Sequence, residues 1–155
     1  MGRDLDAGII KTATLISRTA PSSVTFETGD AFTSPLPEAD VIVTAPPMGL
    51  RLSDPHTLQN GTSTRQGDLA AVDICLRALR EGGRAVFQLA PGITFQSQAE
   101  SFRSYLASNY RIAALIGCPS GSAFGTQIKT VLMVVDKAQP GPTFVAQLAE
   151  DWEAQ

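Results

Sequence analysis

The sequence predicts an α/β protein built on a doubly wound sheet. Apolar residues at helical spacing alternate along the chain with short β-type apolar runs, which is the pattern of strand–helix–strand units. The last two β-type runs, residues 111–116 and 130–135, have no helix between them. Such a closing pair indicates antiparallel strands at one edge of the sheet. We therefore expect a mostly parallel sheet that ends in an antiparallel pair.

The composition is that of a single globular domain. The chain has 155 residues, of which 43% are hydrophobic and 17% are charged, so it can bury a core. Its formal net charge of -3 gives no general attraction to phosphate backbones, and any DNA contact needs a local basic patch. Cys75 and Cys118 are expected to be buried free thiols in a reducing cytoplasm. No apolar run reaches the ~20 residues that span a bilayer, and no signal peptide is present, so we expect no membrane contact.

Individual elements follow from periodicity and from turn residues. Asp68 can cap the second helix, and Gly82-Gly83 can end it. The polar stretch Ser53–Gly67 has no period, and its length indicates a functional or mobile loop. The predicted helices are 7–19, 68–80 and 98–109, and the predicted strands before the closing pair are 24–26, 39–44 and 84–89.

Acidic residues close the first two β-type segments. In open α/β sheets ligands bind at the carboxyl ends of the strands, so these positions are candidates for a site. The first segment is Gly2-Arg3-Asp4-Leu5-Asp6 and the second is Gly29-Asp30-Ala31-Phe32. A structural alternative exists for each, because Asp4 and Asp6 can cap the next helix and Gly-Asp also forms ordinary turns.

The third strand end carries the most unusual motif. The run from Ala39 to Thr44 leads directly into Ala45-Pro46-Pro47-Met48. Two consecutive prolines hold the backbone rigid where the strand ends.

In their order and spacing, these segments resemble class I S-adenosylmethionine-dependent methyltransferases of the adenine-N6 DNA methylase type. The closing region, with residues 115–124 and 130–137, is similar to the modification subunits of type I restriction systems. The resemblance covers residues 2–137 and implies a Rossmann-like methyltransferase domain over residues 1–137. The tail, residues 138–155, is expected to leave the sheet and to form a short helix around 144–152.

The resemblance also implies roles for the strand-end residues. Asp4 matches the acid that binds the cofactor's ribose hydroxyls, Asp30 matches the residue that binds its adenine amino group, and Phe32 matches the apolar residue on the ring. The tetrapeptide matches the family's catalytic motif, in which a polar side chain holds the target amino group and an aromatic ring stacks on the flipped-out base. Here Ala45 and Met48 occupy those two positions, so the motif is degenerate and catalysis is expected to be impaired.

A second departure concerns the cofactor loop. The family's first strand and its glycine-rich turn, which receives the methionine part of the cofactor, are expected upstream of Gly2. We therefore expect weak S-adenosylmethionine binding by this chain alone.

Two functions remain open at the level of sequence. The chain is either part of an adenine-N6 DNA methyltransferase or a non-catalytic interaction or DNA-positioning module derived from one. A small-molecule methyltransferase is disfavoured by the Pro-Pro pair. DNA contact is expected through a larger assembly, with a homo-oligomer or a partner subunit.

Other residues are not assigned to a site. His56, the only histidine, is interpreted as a solvated loop residue, and with two separated cysteines it predicts no zinc site. Phe144 and Trp152 are expected to cover a hydrophobic edge of the sheet.

Overall fold

The computed structural model describes residues 1–19, 23–123 and 127–151. The chain divides into two compact units, Met1–Leu36 and Pro37–Gln155. None of the helices in the described ranges is long and apolar enough to cross a membrane.

The first unit pairs two short strands beside one helix. Strand β1 (Gly2–Asp4) and strand β2 (Phe26–Thr28) are parallel, and helix α1 (Ala7–Ser17) connects them. Asp6 caps this helix, because its Oδ1 accepts hydrogen bonds from the backbone N–H groups of Gly8 and Ile9 at 2.6 and 3.2 Å. The predicted first helix is confirmed.

The second unit contains a five-stranded mixed sheet with helices packed on it. The sheet order is β3-β6-β8-β7-β9, and β8 runs opposite to the other four strands. Strands β4 and β5 form a separate antiparallel hairpin. The elements are β3 (Ala39–Thr44), β4 (Arg51–Thr57), β5 (Ser63–Gln66), α2 (Gly67–Ala78), β6 (Leu79–Leu89), α3 (Gly92–Phe95), one 3-10 turn (Ser97–Ala99), α4 (Glu100–Asn109), β7 (Arg111–Cys118), β8 (Thr130–Asp136) and β9 (Phe144–Gln147).

The core of this unit lies between the sheet and helices α2 and α4. Side chains of the predicted apolar face of α2, such as Leu69 and Leu76, are fully buried, as are Phe87 of β6 and Phe102 of α4. Burial of each such side chain stabilises the fold by roughly 1.5–3 kcal/mol. Both cysteines are buried and free, as predicted.

The boundary between α2 and β6 differs from the prediction. Asp68 does not cap α2, which begins at Gly67 after Gln66, and the Asp68 carboxylate instead accepts a hydrogen bond from Leu69 N–H. The helix ends at Ala78, before the two glycines, which lie inside the long strand β6. A Cβ on Gly83 would lie 2.8 Å from the carbonyl oxygen of Asp40, so the glycine permits close pairing with β3.

Two further expectations are wrong. The stretch Ser53–Gly67 is not an irregular loop but contains most of the β4–β5 hairpin, in which the register shifts between Arg51 and His56. This shift removes the period of two that would have revealed the strands. The tail forms strand β9 rather than a helix, because residues 144–147 pair in parallel with β7. Trp152 lies outside the described residues.

Candidate active site

The tetrapeptide Ala45-Pro46-Pro47-Met48 follows β3 at its carboxyl end. Pro46 is buried, Ala45 and Pro47 are exposed, and Met48 is half-buried. Next to it along the sheet, β6 also ends and leads through Ala90 and Pro91 into α3. Parallel neighbours that end side by side form the usual location of an α/β ligand site.

A cleft of about 280 Å³ opens beside these two strand ends. One wall belongs to the β4–β5 hairpin, including the side chains of Arg51 and Arg65, and the opposite wall belongs to the segment after β6. The lining residues are Gly49, Leu50, Arg51, Arg65, Gln66, Asp68, Ala90, Gly92 and Gln96. The cleft is therefore bounded by the segment that directly follows the tetrapeptide.

The tip of the hairpin is anchored to helices α2 and α4. Leu58 is buried. Tyr110 Oη, just after α4, donates a hydrogen bond to Gln59 Oε1 at 2.8 Å. Asn60 Nδ2 donates to Ser101 Oγ at 3.3 Å. With the Gln59 N–H donating to Asp73 Oδ1 of α2, contacts to both helices thus hold this tip.

His56 and Asp73 form a buried contact that the sequence interpretation missed. His56 was expected to be solvated, but its side chain is 19% exposed and its Nε2 lies 2.8 Å from Asp73 Oδ2. Asp73 is fully buried and also accepts hydrogen bonds from Arg77 Nε and from the backbone N–H of Gln59, each at 2.8 Å. A sequence signal existed, because Asp73 stands four residues after Leu69, on the apolar face of α2, where a carboxylate requires partners.

The ionisation of Asp73 follows from these contacts. Burial raises the pKa of its carboxyl group, but hydrogen bonds from Arg77, His56 and Gln59 together hold that pKa below its usual value. An ionised carboxylate only accepts hydrogen bonds, so His56 Nε2 carries the proton that is shared with it. Asp73 is therefore a charged acceptor that joins the hairpin to α2.

The two acidic candidates lie in the first unit, at adjacent strand ends. Gly29 N–H, just after β2, donates to the carbonyl of Asp4 at 2.9 Å. Asp4 Oδ1 accepts from Asp6 N–H at 2.8 Å, and Asp30 Oδ1 accepts from Phe32 N–H at 2.8 Å. Within the described ranges, Oδ2 of each of these carboxylates has no hydrogen-bond partner. Each carboxylate thus forms a local turn and keeps one oxygen available.

This fold recurs in solved methyltransferase structures. The M protein of the type I restriction enzyme EcoKI matches with a TM-score of 0.81 and 19% identity, over 96% of this chain and 35% of that chain. A type I restriction-modification methyltransferase subunit from Streptococcus thermophilus matches with a TM-score of 0.78 and 22% identity, over 90% and 34%. The N-methyltransferase NodS from Bradyrhizobium japonicum, in complex with S-adenosyl-L-homocysteine, matches with a TM-score of 0.59 and 21% identity, over 88% and 65%. The fold is that of class I methyltransferases.

The family of this chain is shown by its sequence. Residues 9–152 match the family model of the N-6 DNA methylases, and the chain belongs to this family. Comparison with curated protein sequences gave no match. The chain spans about a third of the length of the two restriction-modification structures. With these structures the chain shares the fold over that part of their length.

Proposed function

We propose that this chain is the substrate-side part of an adenine-N6 DNA methyltransferase, and that it is catalytically impaired by itself. The observation that carries this proposal is the position of the family's tetrapeptide, at the carboxyl end of β3 beside the cleft. In this proposal the cleft receives a DNA strand in a larger assembly that includes a partner subunit or a second copy. The buried free thiols suit a reducing cytoplasm.

The described residues fit the nucleoside half of S-adenosylmethionine. When bound, the cofactor supplies the electrophilic methyl group. The available Oδ2 atoms of Asp4 and Asp30 suit the ribose hydroxyls and the adenine amino group, because carboxylate oxygens accept hydrogen bonds from both. Phe32, half-buried beside Asp30, offers an apolar surface to the ring.

We infer that a further strand with a glycine-rich turn pairs with β3 in the active assembly. β3 is an edge strand of the described sheet, although four of its six residues are apolar. Val41 and Val43 are 65% and 75% exposed. Strands of this composition normally lie inside parallel sheets with both faces covered. The extra strand supplies the backbone donors for the methionine half of the cofactor, and it belongs either to the same polypeptide or to a partner.

Calorimetry with S-adenosylmethionine tests whether the cofactor site is divided between this chain and the further strand. The isolated chain is expected to bind weakly or not at all, because carboxylates alone do not replace a glycine-rich cradle. A longer polypeptide that adds the strand and turn is expected to bind, and Asp4→Asn in that polypeptide is expected to weaken binding. As a matched control, Asp54→Asn in the exposed hairpin should leave binding unchanged. A dissociation constant in the low micromolar range for the isolated chain contradicts the proposed division.

The substitutions at the tetrapeptide favour a second candidate, a non-catalytic module that positions DNA. Ala45 has no hydrogen-bonding group for a target amine, and Met48 offers a flexible thioether in place of a ring. The two candidates predict different results when Ala45→Asn and Met48→Phe are combined in the longer polypeptide. An impaired enzyme regains methyl transfer, whereas a module that has lost other parts of the site does not.

A further inference from the structure

The β4–β5 hairpin is held at both ends, and one residue of α2 provides the strongest anchor. At the tip, Asp73 binds the His56 side chain and the Gln59 backbone through different carboxylate oxygens. At the base, Gly67 N–H donates to the carbonyl of Leu50 at 2.8 Å. A Cβ on Gly67 would lie 2.8 Å from Leu50 Cβ, so only glycine permits this approach. Contacts at the tip and at the base thus both hold the hairpin.

The irregular part of the hairpin lies between these two anchors and borders the cleft. Where the register of β4 and β5 shifts, Arg65 Nη1 donates to the carbonyls of Leu52 and Ser53. Arg51 and Arg65 both line the cleft and are exposed. A pair of arginines at the rim suits the phosphate groups of a nucleic-acid strand. Their placement depends on where the hairpin is held.

We propose that Asp73 is a positioning residue: through His56 and Gln59 it sets the hairpin wall that presents Arg51 and Arg65 to a DNA strand in the cleft. Asp73 is not among the residues that line the cleft, and it reaches the hairpin through His56 and Gln59. The inference rests on the proposed function for its DNA ligand. The position of the wall can be measured independently of that ligand.

The experiment compares Asp73→Asn with Asp136→Asn. Asp136 is a matched control, because its carboxylate also pairs with an arginine, Arg84 at 2.6 Å, but it lies in β8 and does not contact the hairpin. Asp73→Asn is expected to speed hydrogen exchange in residues 51–66 by about tenfold or more, the factor that corresponds to loss of one hydrogen bond to a charged group. Exchange in β8 and α4 should stay at the level of the parent chain. Asp136→Asn should leave residues 51–66 unchanged.

Two further readouts separate positioning from general stability. The single histidine gives one pair of imidazole nitrogen resonances, which are expected to report the Nε2–H tautomer in the parent chain and a mixture of tautomers in Asp73→Asn. In the longer polypeptide, fluorescence anisotropy with a labelled single-stranded adenine-containing oligonucleotide should show binding weakened by about fivefold or more in Asp73→Asn, and within about twofold of the parent in Asp136→Asn. If Asp73→Asn does not fold, His56→Ala removes one contact at a half-buried side chain and is expected to give a smaller change confined to the hairpin.

The outcomes decide the proposal. If exchange in Asp73→Asn becomes faster evenly over the second unit, Asp73 only stabilises the core. If exchange in the hairpin does not change, other contacts hold the wall. Either result overturns the inference. If exchange and tautomer change as expected while the longer polypeptide with the parent residues does not bind the oligonucleotide, the proposed DNA function fails and the positioning of the hairpin stands.

Discussion

The burial and anchoring of strand β3 and of the hairpin that follows it are the opposite of what their compositions predict. β3 is apolar, yet Val41 and Val43 are largely exposed and one edge of the strand is unpaired in the described sheet. The hairpin is polar, yet Leu58 is buried and the Asp73 carboxylate holds its tip at fixed distances. Apolar composition normally predicts burial, and polar composition normally predicts mobility.

The difference separates the side of the cleft that is held by contacts within this chain from the side that is not. A buried charge without partners is costly, and the three donors around Asp73 provide those partners on the hairpin side. An exposed apolar edge strand is a liability that proteins normally cover, and β3 is exposed at Val41 and Val43. The hairpin side of the cleft is held by contacts within this chain, whereas covering β3 by a further strand belongs to the proposed function.

The largest expected effect concerns methyl transfer, which tests whether the β3 side is really incomplete. The chain, incubated with tritiated S-adenosylmethionine and mixed-sequence DNA, is expected to place no label in adenine. Loss of one electrostatic contact of this kind typically lowers the rate by on the order of 10² or more, and loss of base stacking removes roughly 1–3 kcal/mol.

The matched variants sharpen this prediction. Ala45→Asn with Met48→Phe should restore labelling only when the strand and glycine-rich turn are supplied as well. Label in adenine from the unmodified chain, above a control without protein, would show that β3 and its tetrapeptide are sufficient as they stand.

The next largest effect concerns the hairpin. Leu58→Ala is expected to lower the free energy of unfolding by about 2–5 kcal/mol, because the side chain is fully packed in a segment of polar composition. Leu50→Ala is the control, since Leu50 is 36% exposed at the base of the same hairpin and should cost much less. Urea unfolding measures both. Equal, small losses would mean that the tip is as mobile as its composition suggests.

Much of the fold could be predicted because it depends on local patterns. Helix α1 and strand β3 begin where the periodicity places them, and the strand-end positions of Asp4, Asp30 and Ala45 follow from the order of elements. Strand β9 could not be predicted, because Phe144 and Val145 form a strand only through pairing with β7, nearly 30 residues earlier in the chain.

The site was predicted less completely for a related reason. The tetrapeptide is contiguous, so it can be found in the sequence without knowledge of the fold. The contact between His56 and Asp73 joins positions 17 apart across a hairpin with a register shift, and no local period marks it. The acid on the apolar face of α2 was the available signal, and its partner could be identified only in three dimensions.

Acid should destabilise both the hairpin contact and the sheet. The pKa of Asp73 is lowered in the folded chain, and Arg84 lowers the pKa of Asp136 in the same way. A group whose pKa is lowered in the folded chain contributes stability that is fully present above its pKa in the unfolded chain, near pH 4. This stability is lost as the pH falls through its pKa in the folded chain. Thermal unfolding between pH 6 and pH 2 is expected to show a falling midpoint, with a smaller fall in Asp73→Asn. A midpoint that rises on acidification would mean that Asp73 is protonated in the folded chain.

The smallest expected effect is at β3. Val41→Thr replaces a largely exposed methyl group by a hydroxyl of the same shape, so the free energy of unfolding of this chain should change by no more than about 0.5 kcal/mol. Val135→Thr is the matched control in the same sheet, because Val135 is fully buried and its hydroxyl should cost about 1–3 kcal/mol. In the longer polypeptide, where the added strand covers β3, Val41→Thr should become as costly as Val135→Thr. Urea unfolding of both variants in both proteins measures the change. If Val41→Thr is already costly in this chain and the cost grows with protein concentration, a second copy covers β3, and the unfinished edge is completed by self-association rather than by a further strand.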